Sequence, residues 1–361
     1  MQTDRPSLMI PTVLAVSTTL FHLLTANDTY GIFRDELYYV ANGQHLGFGY
    51  VDHPPLIGWI SWLTTSLFGD SLLSLRLFPA LAAGVTVLLV CLTARQMGGG
   101  RSAQLLAGLA TALAPVYVAT FGILSMNAFD VMWWAAAVLI LTQLLRTGDP
   151  RWWIAFGLVA GIGLETKISM LFLGFGIVIG LVLTRDWKQF ASRWIWLGGA
   201  VAGLMFLPYL LWQATHEWAT LEFMRRAAQF KNLPLSPLEF LTAQIMQMNP
   251  IVAPLALAAL LFFFLLPQGQ RYRALGWAGV VIFVVMVLQR TKPYYYAPAL
   301  TVLLPAGSVA TELLTRRPLL RWLRPAYMIA IVVTGLALAP MAKPVLPVET
   351  FVAYQAALGL G

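Results

Sequence analysis

The chain predicts an all-α, polytopic membrane helical bundle of about eleven transmembrane helices, and three observations carry that expectation. With 59% hydrophobic residues, 11% charged residues and a mean hydropathy of +0.75 over 361 residues, it has more apolar surface than one soluble core can hide. A hydrocarbon core about 30 Å thick needs roughly 20 apolar residues of helix, and eleven stretches nearly free of Asp, Glu, Lys and Arg approach that length. These runs also lack the two-residue alternation of a membrane barrel, which leaves the helix as the way to pair every backbone group within its own segment.

The stretches run approximately 8–26, 77–95, 102–120, 125–146, 152–166, 168–184, 194–213, 248–266, 274–289, 295–313 and 325–341. The fifth is the shortest, with 13 residues between Arg151 and Glu165. The first has a short basic flank but lacks a small-residue cleavage site, so it is expected to be a retained helix. Placing the N-terminus in the cytoplasm puts 14 of the 23 basic residues on inner segments, from Arg5 to Arg324, in accord with positive-inside topology. Eleven of the 15 acidic residues then face outward. The net charge of +8 is dispersed over alternate loops, so no nucleic-acid partner is expected. Cys91 is the only cysteine and falls in an apolar run, which excludes an intrachain disulfide or a thiolate metal centre.

This topology leaves residues 1–341 as the transmembrane domain, with long external loops at 27–76 and 214–247, and 342–361 as an external C-terminal segment, conceivably the start of a further domain. Connections this long usually carry function or structure of their own. In the first, Ile32, Phe33, Leu37, Val40 and Ala41 have helical spacing and Gly43 suits a terminator. A second piece, PLIGWISWLTTSLFG, starts at Pro55 and carries Trp59 and Trp62. Two helices lying flat on the outer surface are expected.

The same loop concentrates Asp35, Glu36, His45, Asp52 and His53 in FRDELYYVANGQHLGFGYVDHPPL. Acidic residues in a first helical turn complement its dipole, which alone accounts for Asp35 and Glu36. A carboxylate partly desolvated at the lipid boundary also suits a general base toward a hydroxyl or amine, and the second acidic corner at Asp52 and His53 strengthens that reading. Asp130, Lys167, Arg290 and Lys292 fall at the same depth under this topology. They suit a cavity for a lipid phosphate, with cations stabilising the leaving group. Equally, Asp130 or Glu165 can simply pair with Lys167, and Arg290 and Lys292 can be helix-end anchors. The run Tyr294, Tyr295, Tyr296 suits either a donor site or an aromatic belt.

FRDELYYVANGQHLGFGYVDHPPLIGWI resembles the first external loop of dolichyl-phosphate-mannose protein mannosyltransferases and bacterial aminoarabinose lipid A transferases. LRLFPALAAG, the segment from MNAFDVMWW to GLETKISMLFLGFG, and TKPYYYAPALTVLLPAG follow that family in order. The resemblance implies a C-type glycosyltransferase fold and a polyprenyl-phosphate sugar donor. It implies Asp35 as general base with Glu36 beside it, and Asp130 as a second acidic position. Lys167 is implied near the donor phosphate, and Arg290, Lys292 and Tyr295 in the segment that helps hold the donor. The corner at Asp52 and His53 is implied as structural, with metal binding as the other role. Arg34 next to Asp35 departs from the family pattern and can lower the basicity of that carboxylate.

The function expected is transfer of a hexose or pentose from the lipid donor to a lipid, glycan or protein acceptor, with inversion, outside the cytoplasm. The expected site is a bacterial cytoplasmic membrane, whose lipids are also partners. No cofactor is required by the sequence. A divalent metal held by Asp35, Glu36, Asp130 and His53 is the variant with suitable hard donors. A lipid-linked sugar flippase or other transporter is the alternative, although its ionisable groups would ordinarily sit near the bilayer midplane.

Overall fold

All eleven apolar stretches fall on helices in the computed structural model, which describes residues 8–26, 30–230 and 235–359. Arg5 and Lys231, two of the basic residues that bear on topology, lie outside the described residues. The order begins with α1 (Met9–Leu24), α2 (Arg34–Gln44), α3 (Leu56–Phe68), α4 (Leu72–Gln96), α5 (Arg101–Leu113) and α6 (Pro115–Thr120). There follow α7 (Met126–Thr147), α8 (Trp152–Thr166), α9 (Met170–Leu183), α10 (Lys188–Ala191), α11 (Arg193–Thr215) and α12 (Ala219–Phe230). The chain continues with α13 (Pro237–Met248), α14 (Pro254–Phe264), α15 (Arg273–Leu288), a 3-10 turn at Pro293–Ala299, α16 (Leu300–Leu314), α17 (Leu323–Ala342) and α18 (Val348–Ala357). No strand occurs among the described residues.

Six of these helical segments are long and apolar enough to cross a membrane: Leu72–Gln96, Met126–Thr147, Arg193–Thr215, Pro267–Leu288, Pro293–Leu314 and Pro318–Ala342. The other five stretches coincide with shorter helices. The stretch 102–120 is broken, because Pro115 disfavours helical geometry at the residue before it and Ala114 is extended at φ −66° and ψ 125°. Near 248 the chain turns through Asn249, at φ +80°, so α14 starts at Pro254.

The apolar window of Pro293–Leu314 is 78% buried, whereas those of α11 and Pro318–Ala342 are each 17% buried, which places α16 centrally and the other two at the rim. Close approach of helices rests on small residues, as expected where lipid supplies no hydrophobic drive between spans. A Cβ on Gly157 would collide with the Gly198 carbonyl of α11, and one on Gly307 with the Leu255 carbonyl of α14.

The described part of the first long loop, residues 30–76, carries the two expected helices, α2 and α3. Gly43 lies inside α2 rather than ending it, and a Cβ there would sit 2.8 Å from the Trp62 nitrogen of α3. The buried residues of α2 are Glu36, Tyr39, Asn42 and Gly43, while Ile32, Phe33 and Leu37 are exposed. Ile32, Phe33 and Leu37 therefore point away from the bundle, while Val40 packs partly against its core and the polar Glu36 and Asn42 point in. The C-terminal segment returns to the bundle, with the Tyr354 hydroxyl donating to the Ala337 carbonyl at 2.6 Å.

Candidate active site

Adjacent in sequence, Asp35 and Glu36 point to opposite environments. Glu36 is completely buried and accepts four hydrogen bonds: from the N–H of Phe33 (2.8 Å), the N–H of Leu124 (2.9 Å), and Arg76 Nε (3.2 Å) and Nη2 (3.0 Å). Its oxygens are thereby committed to holding the first turn of α2 against α4 and the turn before α7. Asp35, with its side chain 53% exposed, meets Arg34 Nε at 3.2 Å. Because the Arg34 side chain is 85% exposed, solvent screens that pair and it constrains Asp35 only weakly.

The His53 corner is a packed joint. Nδ1 of His53 lies 2.8 Å from the Pro54 carbonyl, which requires the proton there, so Nε2 accepts from Asn42 Nδ2 at 3.0 Å. Rings of Tyr38, Tyr39 and Tyr50 surround the imidazole with centroids 5.0 to 5.7 Å away. Burial pushes the His53 pKa below its ordinary value, with Asp52 and the Pro54 carbonyl opposing the shift. Asp52 accepts the Tyr38 hydroxyl at 2.5 Å, and burial, followed by this contact, raises the Tyr38 pKa.

A third cluster lies between α7 and the turn that joins α8 to α9. Asp130 is buried, accepts the Ser169 hydroxyl at 2.6 Å and stands 3.6 Å from Lys167 Nζ. That ammonium donates to Asn127 Oδ1 at 2.8 Å and lies 4.6 Å from the centre of the Tyr295 ring. Tyr295 in turn meets Tyr294 edge-on at 4.7 Å. The Asp130–Lys167 pairing weighed from sequence is therefore formed, within a larger group that includes Asn127 and Tyr295. Glu165 does not join it, and its Oε1 is buried with no hydrogen-bond partner among the described residues.

A cavity of about 990 Å³ is shared by Asp35 and, from the third cluster, Asn127, while the His53 corner lies off its lining. Asp35, Ser125, Asn127, Gln247 and Tyr294 form much of its polar lining, while α6, the turn after it and α17 supply apolar wall through residues such as Val116, Ile123, Leu338 and Met341. Asp35 and the Asn127 that carries Lys167 thus share one chamber. Arg290 and Lys292 are not part of its lining: Arg290 is exposed just beyond α15 at φ +50°, and Lys292 precedes the 3-10 turn. Of the three tyrosines, Tyr294 lines the cavity, Tyr295 faces Lys167, and Tyr296 is buried with its hydroxyl donating to the Gly279 carbonyl at 3.1 Å.

The donor set suggested for a divalent ion is not assembled. Among the described residues no three His, Cys, Asp or Glu side chains form a metal-binding group, and both Glu36 oxygens and both His53 nitrogens are already engaged. Sequence reasoning missed Arg76, Ser125 and Asn127. Arg76 sits 40 residues from Glu36, so spacing gave no hint of the pair. Asn127 was legible in principle, lying one helical turn before Asp130 in SMNAFD.

A helical membrane bundle with a surface helix carrying an exposed carboxylate over a largely apolar chamber, and a lysine behind the chamber's polar end, has the C-type glycosyltransferase fold. The model of the dolichyl-phosphate-mannose-protein mannosyltransferase family matches residues 52–212. Lipid A galacturonosyltransferase RgtD from Rhizobium johnstonii is 26% identical over 307 residues, covering 82% of this chain. The chain spans 63% of that relative's length. The crystal structure of ArnT from Cupriavidus metallidurans bound to undecaprenyl phosphate superposes with a TM-score of 0.72 at 19% identity, over 91% of this chain and 64% of its own. Its apo state gives 0.67 at 18% identity, over 96% and 76%. The chain is a membrane protein of this fold and resembles these glycosyltransferases.

Proposed function

We propose that the chain transfers one sugar, a hexose or pentose, from a polyprenyl-phosphate donor to a lipid, glycan or protein acceptor on the non-cytoplasmic side of the membrane. The observation that carries this reading is the shared chamber: Asp35 stands on the same cavity as Asn127, the residue held by the Lys167 ammonium. The undecaprenyl phosphate named in the ArnT structure supports the donor class, and the RgtD name supports a glycolipid among the acceptors.

In this mechanism Asp35 removes the proton of an acceptor hydroxyl as its oxygen bonds to the anomeric carbon. The bond from that carbon to the phosphate oxygen breaks on the opposite face, so configuration inverts and polyprenyl phosphate leaves. Lys167, oriented by Asp130, Asn127 and Tyr295, stabilises the phosphate from behind the lining. Glu36 acts through position, keeping the first turn of α2 and hence Asp35 at the chamber, rather than by taking a proton. His53 and Asp52 fix the corner that carries α3. Arg290 and Lys292, off the lining, serve a phosphate approaching from outside. Holding donor and acceptor together supplies several kcal/mol of barrier reduction.

The test is transfer of radiolabelled sugar from polyprenyl phosphate by the reconstituted chain, offered a cell-envelope extract as acceptor. Labelled product dependent on Asp35 supports the reading. Movement of the lipid across the bilayer without product would instead identify a flippase.

A further inference from the structure

The turn before α7 contains a buried hydroxyl that bonds none of the described residues. Ser125 is the N-cap residue of this 22-residue helix, in extended geometry at φ −153° and ψ 156°. A serine in that place ordinarily accepts an N–H of the first turn. Here the Ala128 N–H bonds to the Ser125 carbonyl at 3.2 Å, and the side chain makes no capping bond. The residue is 3% exposed, its Oγ has no hydrogen-bond partner among the described residues, and it lines the 990 Å³ cavity. Burial of an unpaired hydroxyl is costly, which argues that its partner is a ligand.

Two neighbours define the ligand's chemistry. Asn127, in the same turn and on the same lining, accepts a hydrogen bond from Lys167 Nζ at its Oδ1, 2.8 Å away. An amide whose oxygen is held by an ammonium is left with its NH2 group, two donors, to offer elsewhere. The helix itself directs the positive end of its dipole to this spot, and of its first N–H groups that of Ala128 is held by the Ser125 carbonyl. The Met126 N–H is turned to the Tyr39 hydroxyl. Lys167 stands behind with its charge shared with Asp130 at 3.6 Å. Donors from a hydroxyl and an amide, at the start of a long helix, match an oxyanion.

We infer that Ser125 and Asn127, at the N-terminus of α7, form a seat for a phosphoryl oxyanion. Resting on the proposed function, the occupant is the phosphate of the polyprenyl donor, with its chain along the apolar wall. The seat and Asp35 lie on one cavity, as a leaving phosphate and a base attacking through the acceptor require.

The experiment is equilibrium binding of radiolabelled polyprenyl phosphate to the full chain in nanodiscs, with polyprenol and inorganic phosphate as competitors. Ser125→Ala is expected to weaken polyprenyl phosphate binding about tenfold, the loss of one hydrogen bond to a charged group, and to leave polyprenol unchanged. Ser125→Thr, which keeps the hydroxyl, should retain most of the affinity. Since Oγ makes no bond with any described residue, the unliganded thermal midpoint of Ser125→Ala should not fall. Competition by inorganic phosphate that depends on Ser125 supports a seat open to free phosphate. Its failure to compete, with lipid binding still dependent on Ser125, supports the lipid as source. Equal affinity of wild type and Ser125→Ala for both phosphates would overturn the seat. If that result accompanies Asp35-dependent sugar transfer, the proposed function stands without it; Ser125-dependent binding in a chain that transfers no sugar leaves the seat and removes the function.

Discussion

Glu36→Gln isolates what the buried carboxylate does for the fold from what its neighbour does for chemistry. The amide has the carboxylate's shape but lacks its charge, and it replaces one acceptor with a donor. Glu36 presently accepts from two backbone N–H groups and twice from Arg76, a guanidinium that is itself 4% exposed. Removing one partner of a buried ion pair leaves the other charge uncompensated, a loss of about 3–5 kcal/mol. Asp35→Asn, by contrast, removes only a solvent-screened contact with Arg34, and the cost should be about 0–1 kcal/mol. Cys91, the sole cysteine, is buried and provides the readout: a dye that fluoresces on reacting with thiols reports unfolding as this side chain becomes accessible. The expected result is a clearly lower midpoint for Glu36→Gln and a near wild-type midpoint for Asp35→Asn. Replacing both partners, as Glu36→Leu with Arg76→Met, should recover only part of that loss, because neither charge of the pair is then left alone but the N–H groups of Phe33 and Leu124 lose their acceptor. A wild-type midpoint for Glu36→Gln, or equal losses for both single variants, would refute the division of labour between these adjacent acids.

Lys167→Met should raise the KM for the donor by about tenfold or more, because it removes the cation behind the phosphate seat and frees Asn127 to turn; unchanged KM would move the phosphate elsewhere. Burial of neutral His53 sets a pH dependence of stability. With its folded pKa depressed, the His53 contribution is complete above the unfolded value of about 6.5 and is lost as pH falls from there toward the folded value. Midpoints measured from pH 7.5 down to 5 should therefore decline, and His53→Gln should flatten the decline relative to wild type; parallel curves would show that His53 does not set it.

The bundle and the polar cluster of its first long loop are legible because apolar run length and clustered charge are local properties of sequence. The breaks at Pro115 and Asn249 illustrate the limit, since composition marks an apolar run and says less about where the backbone turns inside it. The helical spacing that runs from Ile32 to Ala41 matches α2, yet Ile32 and the N-cap Phe33 precede the helix, and both they and Leu37 face outward. In a membrane the apolar side of a surface helix has lipid to meet, so hydrophobic periodicity no longer identifies the side packed on protein. The acidic pair was found as a pair, but its split into a buried clamp and an exposed acid depends on Arg76 and the Leu124 N–H, contacts made across 40 and 88 residues. Arg290 and Lys292 fit the charge pattern expected of a donor site, while the chamber takes its lining from Asn127, Ser125 and Tyr294. Ser125 was invisible as a functional residue because its distinguishing property, burial without a partner, exists only in the folded chain.

The central claim is that Asp35 is the base in a sugar transfer, and the most direct measurement is single-turnover transfer by purified Asp35→Asn from a polyprenyl-phosphate sugar. The transfer rate should fall about 10²- to 10⁴-fold, with donor binding and the thermal midpoint retained. A folded Asp35→Asn protein that transfers sugar at the wild-type rate would contradict it.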